Sequence, residues 1–269
     1  MYELENGKFD LEYGSVNEGL ISVASGKGGV GKSTVTVNLA VALNKLGKQV
    51  GIIDADIRGF SIPRILGLTE ELQALEDKML KPPVAKGIKV MSMGSLVEEE
   101  APIIWRAPLL HGTLEQFMKE VQWGKLDYLL FDLPPGTGDM PLNIMQNLPE
   151  SEVMIVTTPQ ITATNVAGRI GKMADKLECE TLGVVENMSY YQCTDCGNKD
   201  YIFGQGGGKD IAEKLETKLL GKLPLLPDIR EDSDQGKSII LENPEADVSK
   251  EFISIAEKVI NKKRNFKSI

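Results

Sequence analysis

The sequence predicts an α/β fold: a doubly wound, mostly parallel sheet with helices on both faces. Three observations carry this expectation. Short β-branched runs alternate with longer helical ones along the chain. Several of the short runs are apolar throughout rather than alternating, as parallel strands covered on both faces must be. A glycine-rich stretch, SGKGGVGKST (Ser25 to Thr34), stands between the first strand and the first helix.

In order, strands are expected at Leu20–Ala24, Val50–Asp54, Ile88–Met93, Asp127–Asp132, Glu152–Thr158 and Thr181–Asn187. Helices are expected at Lys32–Leu46, Leu109–Val121, Thr162–Leu177, Gly208–Glu216 and Ala246–Asn261. Residues 1–19 read as an N-terminal tail. With no internal repeat and no low-complexity linker, residues 20–269 read as one domain. In such a sheet, ligands bind beyond the C-terminal strand ends.

A chain of 269 residues, 42% apolar and 26% charged, has the composition of a soluble globular protein and can bury a sizeable core. Its net charge of -9 argues against a general nucleic-acid binder, which needs a broad basic surface. Only the end, NKKRNFKSI, is basic. The start, MYELENGKFDLEYG, lacks the apolar core of a signal peptide, and no run approaches the roughly 18 apolar residues of a membrane span. Three cysteines, Cys179, Cys193 and Cys196, are too few for a disulfide framework, so a cytoplasmic setting is expected.

Ser25 to Thr34 fits two patterns. As G-x-G-x-x-G (Gly26, Gly28, Gly31) it suits a dinucleotide; as G-x-x-x-x-G-K-S it is a phosphate-binding P-loop. The second reading uses Lys32 and Ser33, for which a dinucleotide loop has no role. Glycines let backbone N–H groups converge on phosphates, and the helix start adds a favourable dipole. Lys32 would reach the β- and γ-phosphates, and the Ser33 hydroxyl would ligate Mg²⁺. Asp54 and Asp56 follow one apolar strand, and Asp132 ends another, the Walker B arrangement that holds Mg²⁺. Helix capping is the plainer role open to any one of these acids alone. After Asp132, Pro134 and Pro135 stiffen a turn whose Gly136 amide suits γ-phosphate sensing.

Cys193 and Cys196 stand in a C-x-x-C-G turn that aims two thiolates at one point. A tetrahedral thiolate site needs four ligands, and two chains in a symmetric dimer supply two plus two. Zinc and an iron–sulfur cluster both suit such ligands, and a redox pair is a further reading. Cys179 reads as a buried small hydrophobe. His111, the single histidine, reads as a helix-start or surface residue.

The stretches KGGVGKST, DADIRG, WRAPLLHGTLEQF, WGKLDYLLFDLPPGTGD and ENMSYYQCTDCG resemble the Mrp/ApbC family of iron–sulfur cluster carrier ATPases. That family is similar to MinD, ParA and nitrogenase iron protein. The resemblance runs from about Leu20 to Asn243. It implies a homodimer sandwiching two ATP molecules, with Gly26, Lys27, Gly28, Gly29, Val30, Gly31, Lys32, Ser33 and Thr34 around the phosphates. It also implies that Lys27 reaches the partner's phosphates, Asp56 positions the attacking water, and Asn187 contacts the adenine. Pro224 and Asp228 would lie near the base. Cys193 and Cys196 would bridge a 4Fe–4S cluster across the dimer for delivery to apo-proteins. The family's usual CPHCG is CTDCG here, with both thiolates and the glycine kept. Longer relatives carry an N-terminal domain or cysteine set; residues 1–19 hold neither, so a second cluster is not expected.

Trp105 and Arg106 fit either a dimer contact or core packing. In the last helix Val248, Phe252, Ile255, Ala256 and Val259 share one face, expected to pack on the core rather than on a membrane surface. The rival to a cluster carrier is a MinD/ParA-like positioning or partition switch with a structural zinc.

Overall fold

A computed structural model of the chain describes residues 9–11, 14–56, 59, 61–75, 79–96, 107–193 and 195–266. The first half runs β1 (Phe9–Leu11), β2 (Gly14–Ser25), α1 (Lys32–Lys45), β3 (Val50–Asp54) and α2 (Ile62–Leu66). Four short strands follow: β4 (Gln73–Ala74), β5 (Leu80–Lys81), β6 (Val84–Ala85) and β7 (Ile88–Ser92). Then come α3 (Ala107–Lys119), β8 (Gly124–Asp132), α4 (Asp139–Asn147), β9 (Glu152–Thr157) and α5 (Ile161–Lys176). The last part holds β10 (Thr181–Glu186), a hairpin of β11 (Tyr191–Gln192) and β12 (Lys199–Asp200), α6 (Gly207–Lys214) and β13 (Leu219–Lys222). It ends with α7 (Pro227–Asp234), α8 (Ile239–Glu242) and α9 (Asp247–Phe266).

Among the described residues the main sheet has nine strands, in the order β13-β10-β9-β2-β8-β3-β7-β6, with β1 paired to β2. Every pairing from β13 to β7 is parallel; β6 and β1 add antiparallel edges. The order reverses at β2, whose neighbours β8 and β9 lie on opposite sides of it. The crevice at such a switch point is where a doubly wound sheet binds ligands, and the loop after β2 opens into it.

The apolar strands have cause to be apolar on both faces. Ile52 and Leu130 join one buried layer with α1 and α9 residues, including Leu39, Leu43, Phe252 and Val259. Their neighbours Ile53, Leu129 and Phe131 join the other, with Phe117, Trp123 and Ile170. Trp123 is wholly buried, and its indole N–H donates to the Phe117 carbonyl at 2.8 Å. The expected face of α9 is buried in full: Val248, Phe252, Ile255, Ala256 and Val259 all pack inside.

Four findings depart from the sequence reading. Strand β2 begins at Gly14, inside the stretch read as a tail. Its first residues are polar because only Val16 turns into the core there, and Gly14 touches β8 so closely that a Cβ would sit 2.3 Å from the Gly124 carbonyl. Helix α4 carries a proline, Pro141, within its first turn, where the missing N–H is harmless. Helix α7 buries no residue and so offers no apolar stripe to read. Strand β13 has four residues, one of them Gly221 against Ile255 of α9. Trp105 and Arg106 lie outside the described residues, as do the side chain of His111 and those of the basic end beyond Lys262.

Truncating the α9 contact tests this packing. Ile255→Ala is expected to lower stability by about 2–5 kcal/mol, measured by urea denaturation.

Candidate functional site

The loop between β2 and α1 is shaped by what its glycines permit. Gly26 lies directly on α5: a Cβ there would stand 2.5 Å from the Ala167 nitrogen and 2.7 Å from the Val166 carbonyl carbon. Gly29 and Gly31 hold φ of 78° and 81°, the left-handed region that favours glycine. Gly31 starts α1, whose first turn has no side-chain cap. Its leading N–H groups therefore point into the crevice, as an anion site requires. A cavity of about 400 Å³ is lined by Ser25, by Lys27 to Thr34, and by Asp56, Gly59, Ser61, Ile65 and Pro135.

Under this cavity lies a buried polar cluster. Asp132, fully enclosed at the end of β8, accepts from Lys32 Nζ at 2.5 Å and Ser33 Oγ at 2.6 Å on one oxygen. Its other oxygen accepts from Thr36 Oγ1 at 2.6 Å. Thr36 escaped the sequence reading; its signal is the one-turn spacing from Lys32, which puts both on the same helix face. Asp54 sits directly across the sheet, in register with Asp132. Its carboxylate accepts the N–H groups of Asp56, Ser61 and Ile62 at 3.1–3.2 Å, and so ties down the segment leading to α2. Burial, and then the facing Asp132 charge, push the Asp54 carboxyl up to about 7, against the pull of the Asp56 and Ile62 N–H groups and of Lys32.

The other residues expected on the phosphate side stand in different places. Lys27 is half-buried, lines the cavity, and donates from Nζ to Gln160 Oε1 at 3.0 Å. Asp56 lines the same cavity. The Gly136 amide, expected to sense a γ-phosphate, instead donates to the Ser25 carbonyl at 2.8 Å, with φ of 91°. That bond closes the turn after β8 onto the loop, and Pro135 rather than Gly136 reaches the cavity.

A second cavity, of about 410 Å³, adjoins the first and shares Gly31, Thr34, Ser61 and Ile65 with it. Asn187 and Pro224 line it. Asp228 does not: it is exposed, while Ile229, Arg230, Ser233 and Asp234 turn the other face of α7 inward. Asn187 Nδ2 donates to the Val30 carbonyl at 2.8 Å, joining the two cavities through the loop itself.

Cys193 and Cys196 stand at the tip of the β11–β12 hairpin, the first half-buried and the second exposed. Cys193 N–H donates to the Asn198 carbonyl and Gly197 N–H to the Cys193 carbonyl, each at 2.9 Å, with Gly197 left-handed at φ 72°. The Cys196 N–H, and then that of Asp195, turn toward the Cys193 thiol and hold it below its usual range. Donors aimed at a sulfur favour the thiolate, the form that ligates metal. Among the described residues no cluster of three or more His, Cys, Asp or Glu forms a metal site, so this hairpin offers two thiolates. Cys179 packs in the core as expected, its thiol pushed up to about 11 by burial.

Comparison with known proteins follows the same lines. A model of the ParA group described as NUBPL iron-transfer P-loop NTPase matches residues 17–260. An iron-sulfur cluster carrier protein of Bacillus subtilis is 53% identical over 205 residues, covering 76% of this chain. The match covers 58% of that curated relative's own length. A nucleotide-binding protein of Archaeoglobus fulgidus, solved in complex with ADP, superposes with TM-score 0.73 at 42% identity, over 85% of this chain and 89% of its own. The cell division ATPase MinD of Pyrococcus furiosus superposes with TM-score 0.70 at 25% identity, over 90% and 98%. Among the described residues no helix is long and apolar enough to cross a membrane.

Asp54 gives this site a pH signature. Its carboxyl is raised from 3.8 to about 7, so the folded protein binds a proton that the unfolded chain releases within that window. Stability of the nucleotide-free protein is expected to fall as pH rises from about 4 to about 7. Thermal melts across that range check this, and Asp54→Asn is expected to flatten the decline.

Proposed function

This chain belongs to the NUBPL iron-transfer P-loop NTPase family, and on that premise we propose that it is an ATP-hydrolysing iron–sulfur cluster carrier. In this reading Cys193 and Cys196 of two copies hold a 4Fe–4S cluster between them, and the cluster is handed to apo-proteins. The observation that carries it is a two-thiolate hairpin in the same chain as a phosphate cradle: two ligands per chain ask for a second chain.

The phosphates of ATP lie along Gly26 to Thr34, with N–H groups of the loop and of the α1 start as donors. Lys32 is already buried at the cavity floor and reaches the β- and γ-phosphates. Ser33, Asp132 and Asp54 are the Mg²⁺ ligands, directly or through water. Their fit rests on chemistry: one hydroxyl and two facing carboxylates are hard oxygen donors, and a divalent cation relieves the repulsion that raises Asp54. When bound, Mg²⁺ neutralises charge on the phosphate oxygens. Asp56, on the cavity wall, positions the attacking water. Asn187 and Pro224 border the adenine.

Phosphoryl transfer is largely positioning and charge stabilisation, so an added cation near the γ-phosphate acts as an arginine finger does. Lys27 fills that role from the partner subunit, exchanging its hydrogen bond to Gln160 for the phosphate across the dimer. A cytoplasmic setting suits both free thiols and ATP. The second reading, a MinD-like positioning switch with zinc at the hairpin, draws on the superposition with MinD.

Two experiments test these roles. Lys27→Ala is expected to lower ATP turnover by about 10³-fold or more with ATP binding kept, in a phosphate-release assay with parallel calorimetry; unchanged turnover would remove the cross-subunit role. Anaerobic reconstitution with iron and sulfide is expected to load about four irons per dimer. The double variant Cys193→Ala, Cys196→Ala is expected to load none, while zinc uptake without iron would favour the second reading.

A further inference from the structure

Glu186 ends β10 with no solvent exposure, and nothing in the proposed chemistry uses it. A carboxylate buried this deeply is costly unless each oxygen is satisfied. Here one oxygen, Oε1, accepts from Ser189 Oγ at 2.5 Å, with Lys222 Nζ 3.8 Å away. The other, Oε2, accepts the Gly208 N–H at 2.6 Å, within the first turn of α6, where an anion is favoured. The approach is close: a Cβ on Gly208 would stand 2.7 Å from the Glu186 Cβ.

Ser189 and Gly208 are the two ends of one excursion. The chain leaves the sheet after Glu186, passes through Ser189, forms the β11–β12 hairpin with Cys193 and Cys196 at its tip, and reaches α6. One carboxylate therefore clamps both ends of the cysteine-bearing segment. Immediately between Glu186 and Ser189 stand Asn187 and Met188, which line the base-side cavity. Met188 is held in the left-handed region at φ 53°, a conformation a non-glycine residue keeps only when its surroundings impose it. The outgoing strand is fastened again: Ser189 N–H donates to the Leu223 carbonyl at 2.8 Å, and Leu225 N–H to the Tyr190 carbonyl at 2.7 Å. Pro224 and Leu225 line the same cavity.

We propose that Glu186 is a positioning residue that locks the Cys193/Cys196 hairpin to the base-lining turn, so that nucleotide occupancy restrains the cysteine pair. The inference deepens the carrier reading by supplying a route between its two sites, and it rests on that reading for its biological use. By linkage, whatever the nucleotide does to the thiolates, ligands on the thiolates do to the nucleotide. The linking element is the 187–189 turn, held by Glu186 on one side and facing the base-side cavity on the other.

The test uses the full chain, reduced and free of metal, with ADP and Mg²⁺ as the probe. Iodoacetamide alkylation of Cys193 and Cys196 is followed by mass spectrometry with and without saturating ADP. ADP is expected to slow alkylation of the native protein by about 5-fold or more. In Glu186→Ala the effect is expected to drop below about twofold although ADP still binds. Glu186→Gln, which keeps one acceptor oxygen, is expected to restore part of it. Ser189→Ala releases one end of the clamp and serves if Glu186→Ala does not fold; it too is expected to weaken the ADP effect. The ratio with and without ADP is the readout, because a merely loosened fold speeds alkylation in both states alike. An absent ADP effect in the native protein, or a native-sized effect in the variants, overturns the proposal. Failure of the carrier reading looks different: the native protein takes up no iron and sulfide, whatever its alkylation rates.

Discussion

The carboxylate of Asp132 is the contact on which the nucleotide side of this molecule is built. It stands at the end of a central strand, wholly buried, and takes hydrogen bonds from Lys32, Ser33 and Thr36 of the neighbouring helix. One acid thereby fixes the start of α1 against the sheet and sets the pitch of the glycine loop that enters it. The arrangement is stable only as a set. Removing one member of a buried ion pair typically costs about 3–5 kcal/mol, because the other charge is left enclosed and unpaired. Asp54 stands beside it in register, its carboxyl pushed up by burial and then by the facing Asp132 charge.

The sheet repeats this device on its other half. Glu186 closes β10 as Asp132 closes β8, again fully buried, but its donors, Ser189 and Gly208, come from the chain that follows, whereas those of Asp132 come from α1 earlier in the chain. Acids at parallel strand ends act here as anchors for the excursions beyond the sheet. One anchor holds the phosphate loop, another the segment to α2, and the third the cysteine hairpin. The excursions differ in what they carry, while the sheet beneath them is a common rigid floor.

Between these anchors the loop and the base-side cavity adjoin. Gly31 admits Asn187 where any side chain would collide with its amide, and Asn187 in turn donates to Val30. The nucleotide side and the cysteine side are thus a few residues apart along the chain, from Asn187, bonded to Val30, through Ser189, bonded to Glu186, to Cys193.

Much of this was legible in the residues. Unbroken apolar runs announced parallel strands because both faces are covered, and the order of glycine, lysine and serine announced a phosphate loop because that chemistry needs backbone donors, a cation and a hydroxyl together. The C-x-x-C-G spacing announced a two-thiolate tip for the same kind of reason, a local geometry set by a few consecutive residues. What escaped was whatever depends on distant partners. Strand β2 extends back to Gly14 through polar residues because β8 and β1 flank it there, and α7 faces its cavity with residues other than Asp228 because of how the helix is turned. Thr36, Gln160 and Glu186 are ordinary residues in sequence, and only the packing of strand ends against loops gives them partners. The sequence by itself determined the elements and the local chemistry, since propensity, periodicity and motif spacing act over a few residues. The tertiary structure alone decided which acids pair, which amides are taken and which segments share an anchor, because those depend on side chains brought together from distant parts of the chain.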